Sequence, residues 1–470
     1  MHTIYLLLPL LPFALFFFLK AKTIFSKRNL IKRPPGPWTL PLIGSLHHLI
    51  GFSLPHHALH DLSRRYGDLM FLQIGEQPTV VISSKEAARQ ILKFHETIFC
   101  NRPAGPTAKI FTYGGIDLVF APYGEYWREL RKILTSELLG YKRVQSFKPI
   151  REEEVSKLIQ SISSLSSQRK IVNLSEMMSL MSNKVLVRAA TANKSKGDIR
   201  FSSEIERSGE LSAGICLANL FPSSRLANLI STRAFRKAAK CHMSIDELTD
   251  RMIQEHRASH EVDGGGDDLL SVLLRLHEED GNKSISMDTV KAIIFDAVAG
   301  GTDEPGALLH WAMSELVKNP KVMKKAQDEV RRVLGCREII TEADLVELNY
   351  IRLIIKETLR LHPLTPLIPR LCQDTVNILD YEIAKGTTML VNLWNIGRDS
   401  KYWKDPEEFK PERFAECSNN RAGSKAMDDL EFFPFGAGCR ICPGKAFGLA
   451  VVELTLANLY IVLTGTFLAG

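Results

Sequence analysis

One short segment near the C-terminal end, residues 434–444 (Pro-Phe-Gly-Ala-Gly-Cys-Arg-Ile-Cys-Pro-Gly), constrains this chain more than any other. Its two central glycines allow tight turns and a close approach of the backbone to a flat group. Cys442 is followed by a Pro-Gly pair and then by the apolar stretch 446–459, which predicts a helix. A thiolate at a helix N-terminus is stabilised by the free N–H groups there. The segment therefore predicts a thiolate held on a loop, with Arg440 as a nearby cation.

A cysteine on a loop also has simpler interpretations. A free cysteine is usually a small buried hydrophobe, and Cys439 together with Cys442 resembles half of a zinc site. The zinc interpretation fails because the chain has no second Cys/His pair of matching spacing. Haem fits a thiolate beside an arginine better, because it carries iron at its centre and propionates at its edge.

The phrase Phe435-x-x-Gly438-x-Arg440-x-Cys442-x-Gly444 has five fixed positions and resembles the haem-binding loop of the cytochrome P450 family, the haem-thiolate monooxygenases. The resemblance implies that Cys442 is the axial ligand of the iron in haem b and that Arg440 binds a propionate. It also implies that the ring and the glycines of the loop contact the cofactor: Phe435, Gly436, Gly438 and Gly444.

A second motif lies on a predicted helix over 123–139. Trp127 and Arg131 are four residues apart and so share one face of that helix. They resemble the family's Trp-x-x-x-Arg, whose members bind a haem propionate, and Arg370 is expected to reach a propionate as well. Neighbouring basic residues are expected to dock an acidic electron donor: Arg128, Lys132, Lys142 and Arg143.

A third motif places Glu357 and Arg360 three residues apart on a helix that is otherwise apolar, which predicts that both are buried. Buried charges need full partnering. Arg413, in the sequence Pro-Glu-Arg-Phe, resembles the third member of the family's Glu-x-x-Arg triad. The resemblance implies a structural role, in which the triad locks the loop beneath the haem.

The long predicted helix 287–318 departs from the family pattern. The resemblance places Gly300-Gly301-Thr302-Asp303-Glu304-Pro305 over the oxygen-binding face, with Glu304 in place of the usual alcohol. We expect Thr302, Asp303 and Glu304 to be the catalytic candidates, with Glu304 delivering protons directly or through water. The glycines and the proline also predict a local deformation of the helix.

Composition limits the classes of partner and the compartment. The 470 residues carry 60 basic and 53 acidic side chains, and no dense basic run indicates nucleic-acid binding. The eight cysteines are scattered, which predicts a reducing compartment and no disulfide framework.

The N-terminus predicts a membrane anchor over residues 1–22. Ile4–Leu19 is apolar except for two prolines, and basic residues follow it. These charges place the rest of the chain on the cytosolic side of the endoplasmic reticulum membrane. A basic and proline-rich hinge is expected over 23–37, and a catalytic domain over 38–470.

The fold class is predicted to be mainly α with a small β region, in the cytochrome P450 fold. Helices are expected at 148–164, 320–334 and 342–361, besides those above, with a hairpin of 69–74 and 79–83. A second strand pair is expected from 376–378 and 388–391, and no internal repeat is visible.

The resemblance implies a monooxygenase that inserts one oxygen atom from O₂ into a small lipophilic substrate of plant specialised metabolism, of terpenoid, phenylpropanoid or alkaloid type. Electrons would come from NADPH through a separate cytochrome P450 reductase. Because the alcohol is replaced, a haem-thiolate isomerase or dehydratase that needs no NADPH stays open. The ending from about residue 459 also departs from the family pattern, which leaves an inactive, truncated haem protein as a further alternative.

Overall fold

The computed structural model describes most of the chain. The described residues are 32–51, 54–191, 199–213, 216–263, 268–279, 285–335, 337–415 and 430–462. The predicted anchor, the first part of the predicted hinge and the last eight residues lie outside them.

Helices make up most of the described chain. They are α1 Pro55–Tyr66, α2 Lys85–Arg89, α3 Pro106–Phe111, α4 Glu125–Leu134, α5 Tyr141–Ser146, α6 Lys148–Ser167, α7 Leu174–Thr191, α8 Ile199–Ala213, α9 Leu217–Leu220, α10 Arg225–Ile230, α11 Thr232–Asp263, α12 Leu269–Glu279, α13 Met287–Lys318, α14 Pro320–Leu334, α15 Asn349–Leu361, α16 Leu393–Ile396 and α17 Lys445–Val462. π-Helical turns extend α2 over Gln90–Phe94 and α4 over Thr135–Leu139, and 3-10 turns form at Leu46–His48, Asp344–Glu347 and Gly438–Arg440.

The small β region contains six strands in the described part of the chain. They are β1 Leu69–Ile74, β2 Gln77–Ile82, β3 Leu367–Leu371, β4 Val376–Ile378, β5 Tyr381–Ile383 and β6 Thr388–Asn392. The first sheet has the order β1-β2-β6-β3, with β2 and β6 parallel and the other pairs antiparallel. The predicted hairpin of β1 and β2 is confirmed. The second predicted pair is wrong, because β4 pairs with β5 while β6 joins the larger sheet.

Most predicted helices form with nearly the expected bounds, and α13 and α14 match theirs at both ends. The expected helix 342–361 is divided. The Asp344 carboxylate accepts hydrogen bonds from the Thr341 amide and hydroxyl, which opens a 3-10 turn, and the α-helix begins only at Asn349. The described part of the predicted hinge is not a free linker, because the Pro35 carbonyl accepts a hydrogen bond from the amide of Phe71 in β1.

The largest hydrophobic core surrounds α13, which packs along α7 and against α15 and α17. Within the described ranges, α17 alone is long and apolar enough to span a membrane, but it lies in this core with Leu459 and Tyr460 fully buried. The helix runs three residues beyond the predicted end at 459. The core thus holds α13 on one side of the segment 434–444 and α17 directly after it.

Candidate active site: a thiol-lined cavity

The loop before α17 is shaped by its glycines. Gly436 and Gly438 have φ angles of +73° and +70°, in the left-handed region that favours glycine. A Cβ atom on Gly438 would lie 2.5 Å from the Leu92 carbonyl oxygen, so only glycine fits. The amide of Cys442 then donates to the Phe435 carbonyl oxygen at 2.9 Å, which closes the loop. This closure fixes the backbone position of the cysteine.

Cys442 lies in the wall of a cavity of about 420 Å³ between the loop and α13. Phe435, Gly436 and Gly444 also line this cavity, whereas Gly438 does not. Burial raises the pKa of the Cys442 thiol, and the charge of Glu304 raises it further. This corrects the expectation of a helix-stabilised thiolate, because in the protein alone desolvation outweighs the stabilising charges. A bound metal ion would reverse this balance and lower the pKa of the thiol, because a thiol that coordinates a metal is deprotonated.

The predicted propionate-binding residues surround the same cavity. Arg440 is buried and donates to the carbonyl oxygens of Cys100 at 2.8 Å and Leu118 at 3.0 Å, and the Trp127 indole N–H donates to Leu118 at 2.9 Å. Arg131 donates to the carbonyl oxygen of Ile441 at 2.6 Å. Each of these three side chains is therefore tied to a loop at the cavity edge.

Burial affects the arginines strongly. Arg370 donates to the Pro369 carbonyl oxygen at 2.9 Å, and burial with the nearby charges of Arg102 and Arg440 lowers its pKa to about 9. Burial, together with Arg102 and Arg131, lowers the pKa of Arg440 to about 10. Like charges gathered in a desolvated space favour an anionic ligand between them.

Arg102 was missed by the sequence reasoning. It lines the cavity, its Nε is buried, and this atom has no hydrogen-bond partner among the described residues. The available signal was Arg102 itself, one of only two basic residues, with Lys109, in the mostly apolar segment 98–122. Buried N–H groups are rarely left unpartnered, so Arg102 points to an anion in the cavity.

Helix α13 supplies the opposite wall, and the structure separates its three candidates. Glu304 lines the cavity together with Cys442. Asp303 lines a neighbouring side chamber of about 230 Å³, and burial followed by the charge of Glu206 raises its pKa to about 6. Thr302 lines neither chamber, because its hydroxyl faces α7 and accepts a hydrogen bond from Asn183 Nδ2 at 3.1 Å.

The glycines of α13 serve close packing. A Cβ on Gly301 would lie 2.5 Å from Leu186, and one on Gly306 would lie 2.7 Å from Ser179 Oγ, both on α7. The helix is continuous through Pro305, so the expected deformation does not interrupt it. Burial raises the pKa of Glu304, whereas the charge of Arg102 acts in the opposite direction.

The charged triad joins α15 to the segment that contains Arg413. Arg360 donates from Nε and Nη2 to the Glu357 carboxylate at 2.8 and 2.9 Å, and Arg413 Nε donates to it at 2.9 Å. All three side chains are buried. The remaining guanidinium N–H groups donate to backbone carbonyl oxygens of the segment 397–408.

One covalent contact contradicts the sequence prediction. Cys439, inside the loop, forms a disulfide with Cys100, which is 339 residues away in sequence. The cysteines that the structure describes as free are Cys216, Cys241, Cys372 and Cys442. The expectation of scattered cysteines without a disulfide framework did not foresee this pair, because its members lie far apart in sequence.

These residues fit haem. The Cys442 sulfur offers an iron ligand, an apolar wall suits a flat ring, and the four arginines that line the cavity match the propionates. The sequence model of the family described as cytochrome P450 matches residues 34–460 of this chain. The chain belongs to the cytochrome P450 family.

Individual relatives agree with this assignment. The chain is 45% identical over 452 residues to the desmethyl-deoxy-podophyllotoxin synthase of Sinopodophyllum hexandrum, covering 95% of this chain and 87% of the relative. It is 42% identical to the 5-epiaristolochene 1,3-dihydroxylase of Nicotiana tabacum, covering 95% and 89%. It is 44% identical to the germacrene A hydroxylase of Tanacetum parthenium, covering 90% and 86%.

The fold also matches solved structures. A zebra fish cytochrome P450 with abiraterone superposes with a TM-score of 0.71 at 24% identity, covering 87% of this chain and 91% of that one. Membership makes the chain a P450 monooxygenase and implies haem b as its cofactor. Electron supply from NADPH through a reductase is typical of the family.

Proposed function

We propose that this P450 inserts one oxygen atom from O₂ into a small lipophilic substrate of plant specialised metabolism, of terpenoid, phenylpropanoid or alkaloid type. The observation that carries the proposal is that Cys442 and Glu304 line one largely apolar cavity. Relatives named for the hydroxylation of 5-epiaristolochene and germacrene A support the terpenoid type.

In this proposal Cys442 would bind the haem iron, and the arginines of the cavity would bind the propionates. Haem b would supply the binding and reductive activation of dioxygen. The propionates would be held by Arg440, Arg131, Arg370 and Trp127. Arg102 would add its Nε, which has no hydrogen-bond partner among the described residues. Phe435, Gly436 and Gly444 form part of the cavity wall that would face the ring.

Glu304 is the proposed proton carrier. Burial raises the pKa of its carboxyl group, so the protonated form persists to a higher pH than in water. A protonated acid in the cavity wall can release a proton towards the reacting centre and be reloaded through water. Asp303, which lies in the side chamber and has a pKa raised to about 6, is the proposed second member of the path.

The membrane and the redox partner are proposed from what is typical of the family. We propose an anchor over 1–22 and a hinge over 23–37 that place the catalytic domain, 38–470, on the cytosolic side of the endoplasmic reticulum. The proposed electron donor is NADPH–cytochrome P450 reductase. Exposed basic side chains on and after α4 suit its acidic surface: Arg128, Lys132 and Lys142.

The test begins with the carbon monoxide difference spectrum of the reduced protein in membranes. A strongly red-shifted Soret band that is lost in Cys442→Ser indicates thiolate ligation. Microsomes with reductase are then screened with terpenoid, phenylpropanoid and alkaloid substrates, with and without NADPH. NADPH-dependent product supports the proposal. Turnover without NADPH would identify an isomerase or dehydratase. A Soret band at shorter wavelength would indicate an inactive haem protein whose thiolate is protonated or lost, and no band would indicate a product without haem.

A further inference from the structure

The turn 117–121 lies between the haem-binding loop and α13. Its carbonyl groups face the loop: Arg440 Nη1 donates to Leu118 at 3.0 Å and Nη2 to Ala121 at 2.5 Å, while Trp127 Nε1 donates to Leu118 at 2.9 Å. Two side chains proposed to hold the propionates are therefore oriented by the backbone of this one turn.

The amide groups of the turn are held by two carboxyl groups. Leu118 N donates to Asp296 Oδ2 at 2.7 Å, and Phe120 N donates to Asp117 Oδ1 at 3.2 Å. Asp296 belongs to α13 and Asp117 is fully buried. Asp117 and Asp296 both line the side chamber, and a hydrogen bond between their carboxyl groups acts on the pKa of each. The pair thus links α13 to the turn.

Two ionised carboxylates at this distance would repel each other. Asp117 Oδ2 is buried and accepts no hydrogen bond from the N–H and O–H donors of the described residues, so a proton carried by the pair would satisfy it. Burial raises the pKa of Asp117 to about 6 and that of Asp296 further, with Asp117 adding to the latter effect. One proton is therefore expected to remain on the pair at neutral pH.

The charged and titratable groups around the pair do not neutralise the second carboxylate in place of that proton. Arg102 and Arg440 are the cations whose charge acts on it, and Arg102 is itself strongly desolvated. Tyr126 from α4 faces Asp117, and Asp303 shares the side chamber with both acids. The surroundings thus contain a further acid as well as the two arginines.

We propose that Asp117 and Asp296 are positioning residues that hold one proton between them and thereby fix the turn 117–121 for Arg440 and Trp127. The inference rests on the proposed role of these two side chains in holding haem. When the pair loses its last proton, the two carboxylates repel each other and the turn loses its attachment to α13. The propionate-binding groups are then no longer held at the cavity edge, and haem dissociates faster.

The first experiment measures haem transfer from the holoenzyme to excess apomyoglobin as a function of pH. In Asp296→Asn, Asp117 is ionised and accepts a hydrogen bond from the new side-chain amide at position 296. The variant therefore has the same charge as the singly protonated pair but lacks the proton that titrates. Above the pKa of the pair, we expect the rate of haem transfer from the wild type to rise by up to about tenfold per pH unit, and the rate from Asp296→Asn to stay constant. Parallel profiles for the two proteins would overturn the proposal.

The control is Asp246→Asn, which removes a carboxylate that bonds to Tyr113 and Lys291 and has a lowered pKa. Its profile should follow the wild type. Infrared difference spectroscopy gives an independent readout, since a protonated carboxylic acid has a carbonyl stretch separate from the carboxylate bands. That band should be present at neutral pH in the wild type and reduced in Asp296→Asn; an unchanged band refutes the shared proton. If the wild type lacks the thiolate Soret band, the proposed function fails, while the infrared result still decides the state of the pair.

Discussion

Replacing Glu357 by alanine should be among the most destabilising single changes in this protein. The carboxylate accepts four hydrogen bonds, from Arg360 Nε and Nη2, from Arg413 Nε and from the amide of Lys410, at 2.8 to 2.9 Å. Removing it leaves two buried guanidinium groups without a counter-charge. Breaking a buried ion pair in this way costs about 3–5 kcal/mol. Glu357→Gln keeps the shape of the side chain but not its charge, so most of the loss of stability should persist.

The assay is urea unfolding of the holoenzyme, followed in parallel by near-ultraviolet circular dichroism and by the Soret band. The matched control is Glu278→Ala, which removes an ion pair of 2.9 Å with Arg257 in which both side chains are at least half exposed. An exposed pair contributes about 0–1 kcal/mol. If Glu357→Ala lowers the free energy of unfolding by no more than Glu278→Ala, the argument from burial is wrong.

Three further predictions test the loop 434–444, the role of Glu304 and the disulfide. Gly438→Ala should cost about 2–4 kcal/mol, from a forced contact with Leu92 and a positive φ, and should lower haem content. Gly386→Ala, with a φ of +82° and open space, should cost only about 1 kcal/mol, measured by thermal unfolding. The coupling of NADPH use to product should fall as the pH rises through the raised pKa of Glu304, because the protonated acid is lost, and Glu304→Gln should abolish that dependence. Cys100→Ser removes the disulfide with Cys439 and should cost about 2–4 kcal/mol, and peptide mapping without reductant should detect the linked pair only in the wild type.

The regular elements could be predicted where local chemistry determines them. Helix α13 begins as expected because Ser286 accepts a hydrogen bond from the Thr289 amide, and it ends before Pro320, which opens α14. The β1–β2 hairpin follows from a short polar turn between two apolar runs. Each of these signals lies within a few residues of the element that it defines.

Features that depend on distant partners could not be predicted in the same way. The parallel pairing of β6 with β2 joins segments about 300 residues apart, and nothing local distinguishes it from the expected pairing with β4. The side-chain direction of Thr302 is decided by Asn183 on α7. Arg102 is meaningful only because the cavity leaves its Nε without a partner in the described chain. Resemblance to a family identified the loop, but not these contacts.

The two walls of the cavity are held by different kinds of contact, and this has a consequence for Glu304. The loop around Cys442 is fixed by closure of its backbone and by the disulfide at Cys439, which leave it little freedom. Helix α13 instead packs closely against α7, because Gly301 and Gly306 have no side chains. A methyl group at Gly301 would push the helix away from α7, and Glu304, which lies three residues further along, would move with it. The position of the proposed proton carrier therefore depends on helix packing behind it, so Gly301→Ala should impair coupling while leaving the thiolate Soret band intact.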